Sequence, residues 1–371
     1  MSNSVYSSQK KYLNGRILTI GVPTYNRAGS LKIMLGLLSE VLRAHEVQVE
    51  VIISDNCSND STPDVIRKWV GSQSRDLNIR TIRHNTNVGA SRNLVSLLYE
   101  SSSKYFMFLG DDDRLNGENL PELIKILLEY HPSAVIQALW FGKIRGRKTG
   151  VVTYAECLRL FYEYGNAWAG IIDRESAINA IESRCIRQKI EETVWPQTAF
   201  GFIAIYDLLP DQYPIAVGFE IGSPISTSLN ITTKQYWVKS LESLLAVAQI
   251  VQQHTGYPLV KKRFVGLKSI GFIGHLQSIL WNSVVYQDNY SIQSISAVLK
   301  NDYGWRGWLW SRIIILDKNP ALLKMIFAMV YMLREKKPYC DFNEKLIQKR
   351  RQRELEIKNS DSSGKRCGDW F

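Results

Sequence analysis

Residues 104–114 read KYFMFLGDDDR, an apolar, aromatic-rich run that stops at Gly110 and opens into three consecutive aspartates. A short apolar run bounded by turn residues reads as a buried strand. Lys104–Leu109 is therefore expected to be a strand with Asp111, Asp112 and Asp113 at its carboxyl end. The same pattern recurs on both sides. Upstream, Arg16–Val22 (RILTIGV) is a strand ending at Pro23, Val47–Ser54 (VQVEVIIS) is a second and Asn78–Arg83 a third; downstream, Ala134–Trp140 is a further strand. Helical spacing fills the intervals. Leu31, Met34, Leu35, Leu38 and Leu42 share one face of a helix over Gly29–Arg43, with Ser30 placed as its cap, and Thr62–Val70 takes Pro63 in its first turn. Gly89–Tyr99 and Glu118–Tyr130 complete the series. Strands alternating with helices imply an α/β chain with a mostly parallel sheet and right-handed crossovers. Ligands of such sheets bind outside the carboxyl ends of the strands. Three polar clusters fall there: PTYNR at 23–27, SDNCSND at 54–60 and GDDDR at 110–114.

Composition narrows the class. The chain has 371 residues, 45% hydrophobic and 22% charged, which supports a large buried core and excludes a disordered or fibrous chain. Its five cysteines are widely spaced without a CxxC pair, so neither a zinc site nor a disulfide framework is implied, and the five histidines show no ligand spacing. Met1–Gly15 is polar and lacks the apolar core of a secretory signal, and no segment reaches the length of a membrane-spanning helix. Both point to the cytoplasm. The net charge is +11, and residues 261–371 hold nearly all of the excess, with 20 basic and 10 acidic side chains. Nucleic acid and an anionic membrane both suit such a segment.

From about Thr233 long helical patterns take over: Val238–His254, Lys261–Tyr286, Trp305–Leu316 and Ala321–Glu335. An α-helical region is thus expected over 231–358, after a polar tail over 1–15 and an α/β domain over 16–230, with a disordered tail over 359–371. Trp305, Trp308 and Trp310 interleave with Arg306 and Arg312, and Lys349, Arg350, Arg351 and Arg353 follow. Interfacial aromatics beside cations suit a helix lying on an anionic membrane; a helical subdomain with internal aromatics is the other reading.

The polar clusters carry the chemistry. Adjacent carboxylates repel, so Asp111–Asp113 suggest either an exposed turn that caps the next helix or a bound Mg²⁺ or Mn²⁺ shared with substrate phosphates. Asp55 stands at a strand end, where a carboxylate can accept the imide N–H of a uracil-type base. The run Asn85–Asn93 opens a helix with Gly89 and places Arg92 in its first turns, where helix N-termini favour phosphate.

In their order and spacing, Val22-Pro23-Thr24-Tyr25-Asn26-Arg27, Ser54-Asp55-Asn56 with Ser58, Asp60 and Thr62, Asn87-Val88-Gly89 with Arg92-Asn93, and Gly110-Asp111-Asp112-Asp113 resemble the family 2 glycosyltransferases of the GT-A fold. The resemblance covers roughly residues 16–140 and is closest in appearance to bacterial abequosyltransferase-like polysaccharide enzymes. It implies a donor half over 16–140 and an acceptor half over 141–230. Pro23, Thr24, Tyr25, Asn26, Arg27 and Asp55 would hold the nucleotide, with Asn87, Gly89 and Arg92 lining the donor pocket. Asp111, Asp112 and Asp113 would be the DxD element. Two registers of that element stay open: Asp111 with Asp113, or Gly110 at the first acidic position and Asp112 with Asp113 as the working pair. Asp113 serves in both as metal ligand.

The resemblance further implies an inverting, metal-dependent transfer from a nucleotide-sugar to a hydroxyl of a lipid-linked glycan such as O-antigen or capsule, at the inner face of the cell membrane. The general base falls in the window of Glu191 and Glu192, with Asp207 and Asp211 as further choices and ordinary surface residues as the other reading of both glutamates. Trp168, Trp195 and Gln197 are the acceptor-side residues, the tryptophans either stacking on sugar or packing in the core. The alternatives are a transferase of the same fold with a soluble or protein acceptor, a scaffold without activity, and a basic nucleic-acid-binding protein. The last is disfavoured because the carboxylate cluster would repel phosphate unless a cation were bound.

Overall fold

The computed structural model describes residues 16–44, 49–73, 77–137, 139–140, 143–144, 148–153, 156–157, 170–193, 196, 213–225, 234–255, 279–283, 312, 319–336 and 338–362. Strands β1 (Leu18–Thr24), β2 (Val49–Asp55), β3 (Asn78–Arg83) and β4 (Tyr105–Phe108) pair in parallel in the order β3-β2-β1-β4. Their registers set Thr24 beside Asp55 and Asp55 beside Arg83, so the polar ends are level. Helices α1 (Ala28–Ala44), α2 (Thr62–Ser72) and α3 (Ala90–Glu100) make the crossovers, and α4 (Leu120–Tyr130) follows the short strand β5 (Asp113–Leu115).

Beyond β4 the sheet changes direction. The strand expected over Ala134–Trp140 is broken into β6 (Ala134–Gln137) and β7 (Leu139–Trp140), which pairs with β8 (Lys143–Ile144). β9 (Gly150–Val151) comes next in the chain, and β10 (Gly170–Asp173) inserts antiparallel between β4 and β6. Helices α5 (Arg174–Ser183) and α6 (Arg187–Glu191) lead on to β11 (Pro214–Val217), which runs parallel to β6 with β9 antiparallel at its outer side. β12 (Gly222–Pro224) pairs with β5, setting Pro224 opposite Asp113.

Alternation explains the core. Leu18, Ile20 and Val22 point from β1 into one layer with Leu31, Met34, Leu35, Leu38 and Leu42 of α1 and Leu123, Ile126 and Leu127 of α4. Trp69 of α2 joins this layer and donates its indole N–H to Leu35 O at 2.9 Å and Ser39 Oγ at 2.7 Å, which satisfies its one polar atom. At the amino end of the sheet, away from the polar clusters, Glu50 is buried. Its Oε2 accepts from Thr19 Oγ1 at 2.6 Å and from the Ser102 amide at 2.9 Å, and its Oε1 accepts from Arg80 Nε at 3.0 Å.

By internal contacts the chain divides into one unit of residues 1–227 with 250–257 and another of 228–249 with 258–371. In the second, the described helices are α7 (Lys234–Thr255), whose last turns group with the first unit, α8 (Pro320–Glu335) and α9 (Tyr339–Ser362). Asn319 caps α8, its side chain accepting from Leu322 N at 3.1 Å. Helix α9 runs through Ser362, past the end expected near 358, and residues 363–371 lie outside the described residues, as do most of Lys261–Tyr286 and Trp305–Leu316. Among the described residues no helix is long and apolar enough to cross a membrane.

Candidate functional site

The loops after β1 and β2 are built as one piece. Asn26 (φ 52°) and Cys57 (φ 64°) adopt the left-handed conformation that non-glycine residues seldom take, and both loops turn sharply at the sheet edge. Ser58 Oγ accepts from Asn26 N at 2.8 Å, Thr62 Oγ1 from Arg27 N at 3.1 Å, and Asp60 Oδ2 from Ala28 N at 3.2 Å. The first amide of α1 and the two before it are therefore satisfied from the neighbouring segment. Ser30, expected as the cap, lies inside the helix instead. Asp60 also accepts from Thr62 N at 2.8 Å, so a single carboxylate serves two helices.

Asp55 is buried at the end of β2. Its Oδ1 accepts from Ser58 N at 3.0 Å and its Oδ2 from Arg83 Nη1 at 3.0 Å. Arg83 was not among the expected site residues, although its place at the end of the adjoining strand was the signal for it. The third cluster joins through Asn56, whose Nδ2 donates to Asn87 Oδ1 at 2.8 Å and whose Oδ1 accepts from Val88 N at 2.9 Å. Gly89 has φ +87°, a conformation open to glycine, and from there α3 begins. Asn93 faces inward, accepting from Ser54 Oγ at 2.5 Å, while Arg92 is exposed. Tyr25 is half-buried beside these loops.

The three aspartates have different surroundings. Asp111 is 5% exposed; its Oδ2 accepts from Thr24 Oγ1 at 2.8 Å and its Oδ1 lies 3.2 Å from Arg27 Nη1. Asp112 is the most open of the three, its Oδ2 2.6 Å from Arg27 Nη2. Asp113, 8% exposed, turns its Oδ2 back to accept from the Gly110 amide at 3.2 Å. A side chain at position 110 would collide with that carboxylate, placing its Cβ 3.1 Å from Asp113 Cγ. This gives a steric reason for glycine at position 110.

The aspartates do not cap α4. Asp113 starts β5, and the residue before α4, Asn119, makes no side-chain cap but donates its Nδ2 to Glu220 O at 2.9 Å. Burial pushes Asp113 up to about 7, with repulsion from Asp112 and Asp111 adding to it against the Gly110 amide and Arg27. Burial likewise raises Asp111 to about 6, held back by Arg27 and Thr24. Arg27 is pulled down by its own burial, yet the three carboxylates hold it above its ordinary value. Among the described residues, Arg27 faces the cluster and partly offsets its charge through Asp111 and Asp112. Among the described residues no three His, Cys, Asp or Glu side chains form a ready metal cage; Mg²⁺ typically uses only one or two carboxylates, with phosphates completing the shell.

Glu191 ends α6 close to α3. Its Oε1 lies 2.8 Å from Arg187 Nε and its Oε2 3.5 Å from Arg92 Nε. Arg187 also stacks on the Tyr99 ring at 4.2 Å, and the Tyr99 hydroxyl donates to Glu182. Glu192 is exposed and accepts from Gln188 Nε2 at 3.1 Å. The structure therefore joins Arg92 to Glu191, residues assigned by sequence to two different roles. Trp168, Trp195, Gln197, Asp207 and Asp211 lie outside the described residues.

Comparison with known proteins falls on the same segment. Residues 19–172 match the family model of glycosyl transferase family 2. The abequosyltransferase RfbV of Salmonella typhimurium is 28% identical over 104 residues, 28% of this chain and 30% of that protein. The poly(ribitol-phosphate) beta-N-acetylglucosaminyltransferase TarS of Staphylococcus aureus is 28% identical over 120 residues, 31% of this chain and 19% of that protein. These matches span less than a third of either relative's length. The crystal structure of TarS 1-349 in complex with UDP superposes with a TM-score of 0.54 at 13% identity, covering 87% of this chain and 93% of that one, and so shares the fold. Residues 19–172, from β1 to β10, therefore form a glycosyl transferase family 2 domain of the GT-A fold.

Proposed function

We propose that the protein is an inverting, divalent-cation-dependent glycosyltransferase that moves a sugar, hexosyl or deoxyhexosyl, from a nucleotide-sugar to a hydroxyl of a growing lipid-linked bacterial surface polysaccharide. The work would be done at the inner face of the membrane, with the basic C-terminal region on anionic lipid. The observation that carries the reading is the buried pair Asp111 and Asp113 at the edge where the β1, β2 and β3 loops are tied together. The nucleotide would lie across Pro23–Arg27 and Asp55, each Asp55 oxygen keeping a lone pair beyond its present partner. Asn87, Gly89 and Arg92 would face the diphosphate.

Asp113, with Asp112 beside it, would hold Mg²⁺ or Mn²⁺, while Asp111 anchors Arg27 through the 3.2 Å ion pair. When bound, the cation supplies positive charge to the departing diphosphate. The acceptor hydroxyl attacks the anomeric carbon from the face opposite the nucleotide and gives its proton to a carboxylate base. Both Glu191 oxygens are shared with arginines, which suits holding Arg92 in place; Glu192 is then the better choice of base.

Isothermal titration with UDP, GDP, CDP and dTDP, each with Mg²⁺, with Mn²⁺ and with chelator, tests the reading. At least one nucleotide should bind in a cation-dependent manner, and Asp113→Asn should abolish that dependence in a folded protein. Undiminished cation-dependent affinity in Asp113→Asn, or no binding of any nucleotide, would refute it.

A further inference from the structure

Helix α8 is apolar on two opposite sides, and among the described residues only one of them is packed against other elements. The inner side carries Leu323, Phe327, Ala328 and Tyr331. Ala328 packs with Phe342 and Leu346 of α9, Phe327 meets Trp281 edge-on at 5.4 Å, and Tyr331 lies 5.5 Å from the Phe342 ring. The outer side carries Leu322, Met325, Ile326, Met329 and Leu333, which are 38–78% exposed. Their spacing of three, one, three and four residues places them on a single stripe. It is about 16 Å long at the helical rise. No charged residue interrupts it, since Lys324 projects from another side of the helix and is half-buried. A helix on a protein surface normally turns charged or polar residues outward, so an unbroken stripe of five large apolar side chains calls for a partner.

Charge selects the partner. Residues 319–353 hold nine Lys and Arg against three Asp and Glu; Lys336 at the end of α8 is exposed, while Lys345 lies over the inner-side Tyr331 ring at 5.2 Å. A second copy of the chain would bring two such cationic segments together. An anionic bilayer offers both an apolar interior and the complementary charge. At 16 residues α8 is too short to cross it. We infer that α8 lies in the surface of an anionic phospholipid bilayer, with the Leu322–Leu333 stripe among the acyl chains and the net positive charge of residues 319–353 drawing it to the phosphates. This rests on the membrane part of the function proposed above and assigns it to one helix face.

The test uses the full chain and sedimentation with phosphatidylcholine vesicles prepared with and without phosphatidylglycerol. The wild type should sediment with the anionic vesicles and much less with the neutral ones. The triple variant Met325→Gln/Met329→Gln/Leu333→Gln should lose at least about tenfold in partitioning. Each single variant should lose a part of this, which keeps the test open should the triple variant misfold. Lys336→Gln should weaken only the dependence on phosphatidylglycerol. Wild-type sedimentation retained by the triple variant would overturn the assignment of α8 and leave a membrane role for other residues. Equal sedimentation with both vesicle types, or with neither, would overturn the inference. So would light scattering that finds a wild-type dimer made monomeric by the triple variant, since the stripe would then join two copies. UDP titration on the same samples reports on the nucleotide site alone, so its failure counts against the proposed chemistry and not against α8.

Discussion

Replacing Glu50 by glutamine tests whether the buried carboxylate at the amino end of the sheet holds β1, β2 and β4 in register. Two donors, Thr19 Oγ1 and the Ser102 amide, converge on its Oε2, and Arg80 Nε reaches Oε1. Glutamine keeps one carbonyl oxygen and must turn its NH₂ toward one set of donors, whichever way the amide is rotated. Hydrogen bonds to a charged group contribute about 1.5–3 kcal/mol each. The facing donors and the loss of charge should cost about 2–4 kcal/mol in all. Arg80→Gln removes only the partner that is 41% exposed and should cost no more than about 1 kcal/mol.

Burial by itself would push Glu50 up, but the Thr19 and Ser102 hydrogen bonds and the Arg80 charge outweigh it and hold the group below its ordinary 4.5. Its stabilisation is therefore complete above the unfolded-state value and is lost as pH falls through the lower folded-state value. The gap between wild type and Glu50→Gln should be widest near neutral pH and close in acid below 4.5. Urea titration followed by hydrogen exchange of β1 and β2 peptides at several pH values measures this. Equal penalties for the two variants, or a Glu50→Gln penalty unchanged in acid, would refute the reasoning.

Other perturbations address the site. Gly110→Ala should sharply weaken cation-dependent nucleotide binding, because the new Cβ displaces the Asp113 carboxylate, while circular dichroism stays unchanged; full binding in this variant would contradict the close approach. Asp60→Ala leaves the amides of both Ala28 and Thr62 without their partner. It should cost about 1 kcal/mol, or about 2–4 °C in melting temperature, and a thermal shift assay showing no change would count against capping across the loops. Glu191→Gln should raise the KM for the nucleotide-sugar with little change in kcat, since it loosens Arg92. Glu192→Gln should lower kcat by about 10²- to 10⁴-fold with KM held, and steady-state kinetics showing the reverse pattern would exchange the two roles.

What the chain order alone determined was everything carried by local periodicity. Apolar runs ending in turn residues marked β1 to β4, the stripe Leu31–Leu42 marked α1, and the alternation of the two set PTYNR, SDNCSND and GDDDR at one edge of a parallel sheet. These signals are local because a strand or helix face is written within a dozen residues. Tertiary structure decided what depends on register between distant segments. Asp60 caps α1 from 32 residues away, β10 enters antiparallel between β4 and β6, and Arg83 meets Asp55 only because β2 and β3 pair at that offset. Folding also brought Glu191 onto Arg92. In each case the partner comes from a segment that no local pattern specifies, since most buried donors and acceptors are satisfied by whatever the packed chain brings within reach.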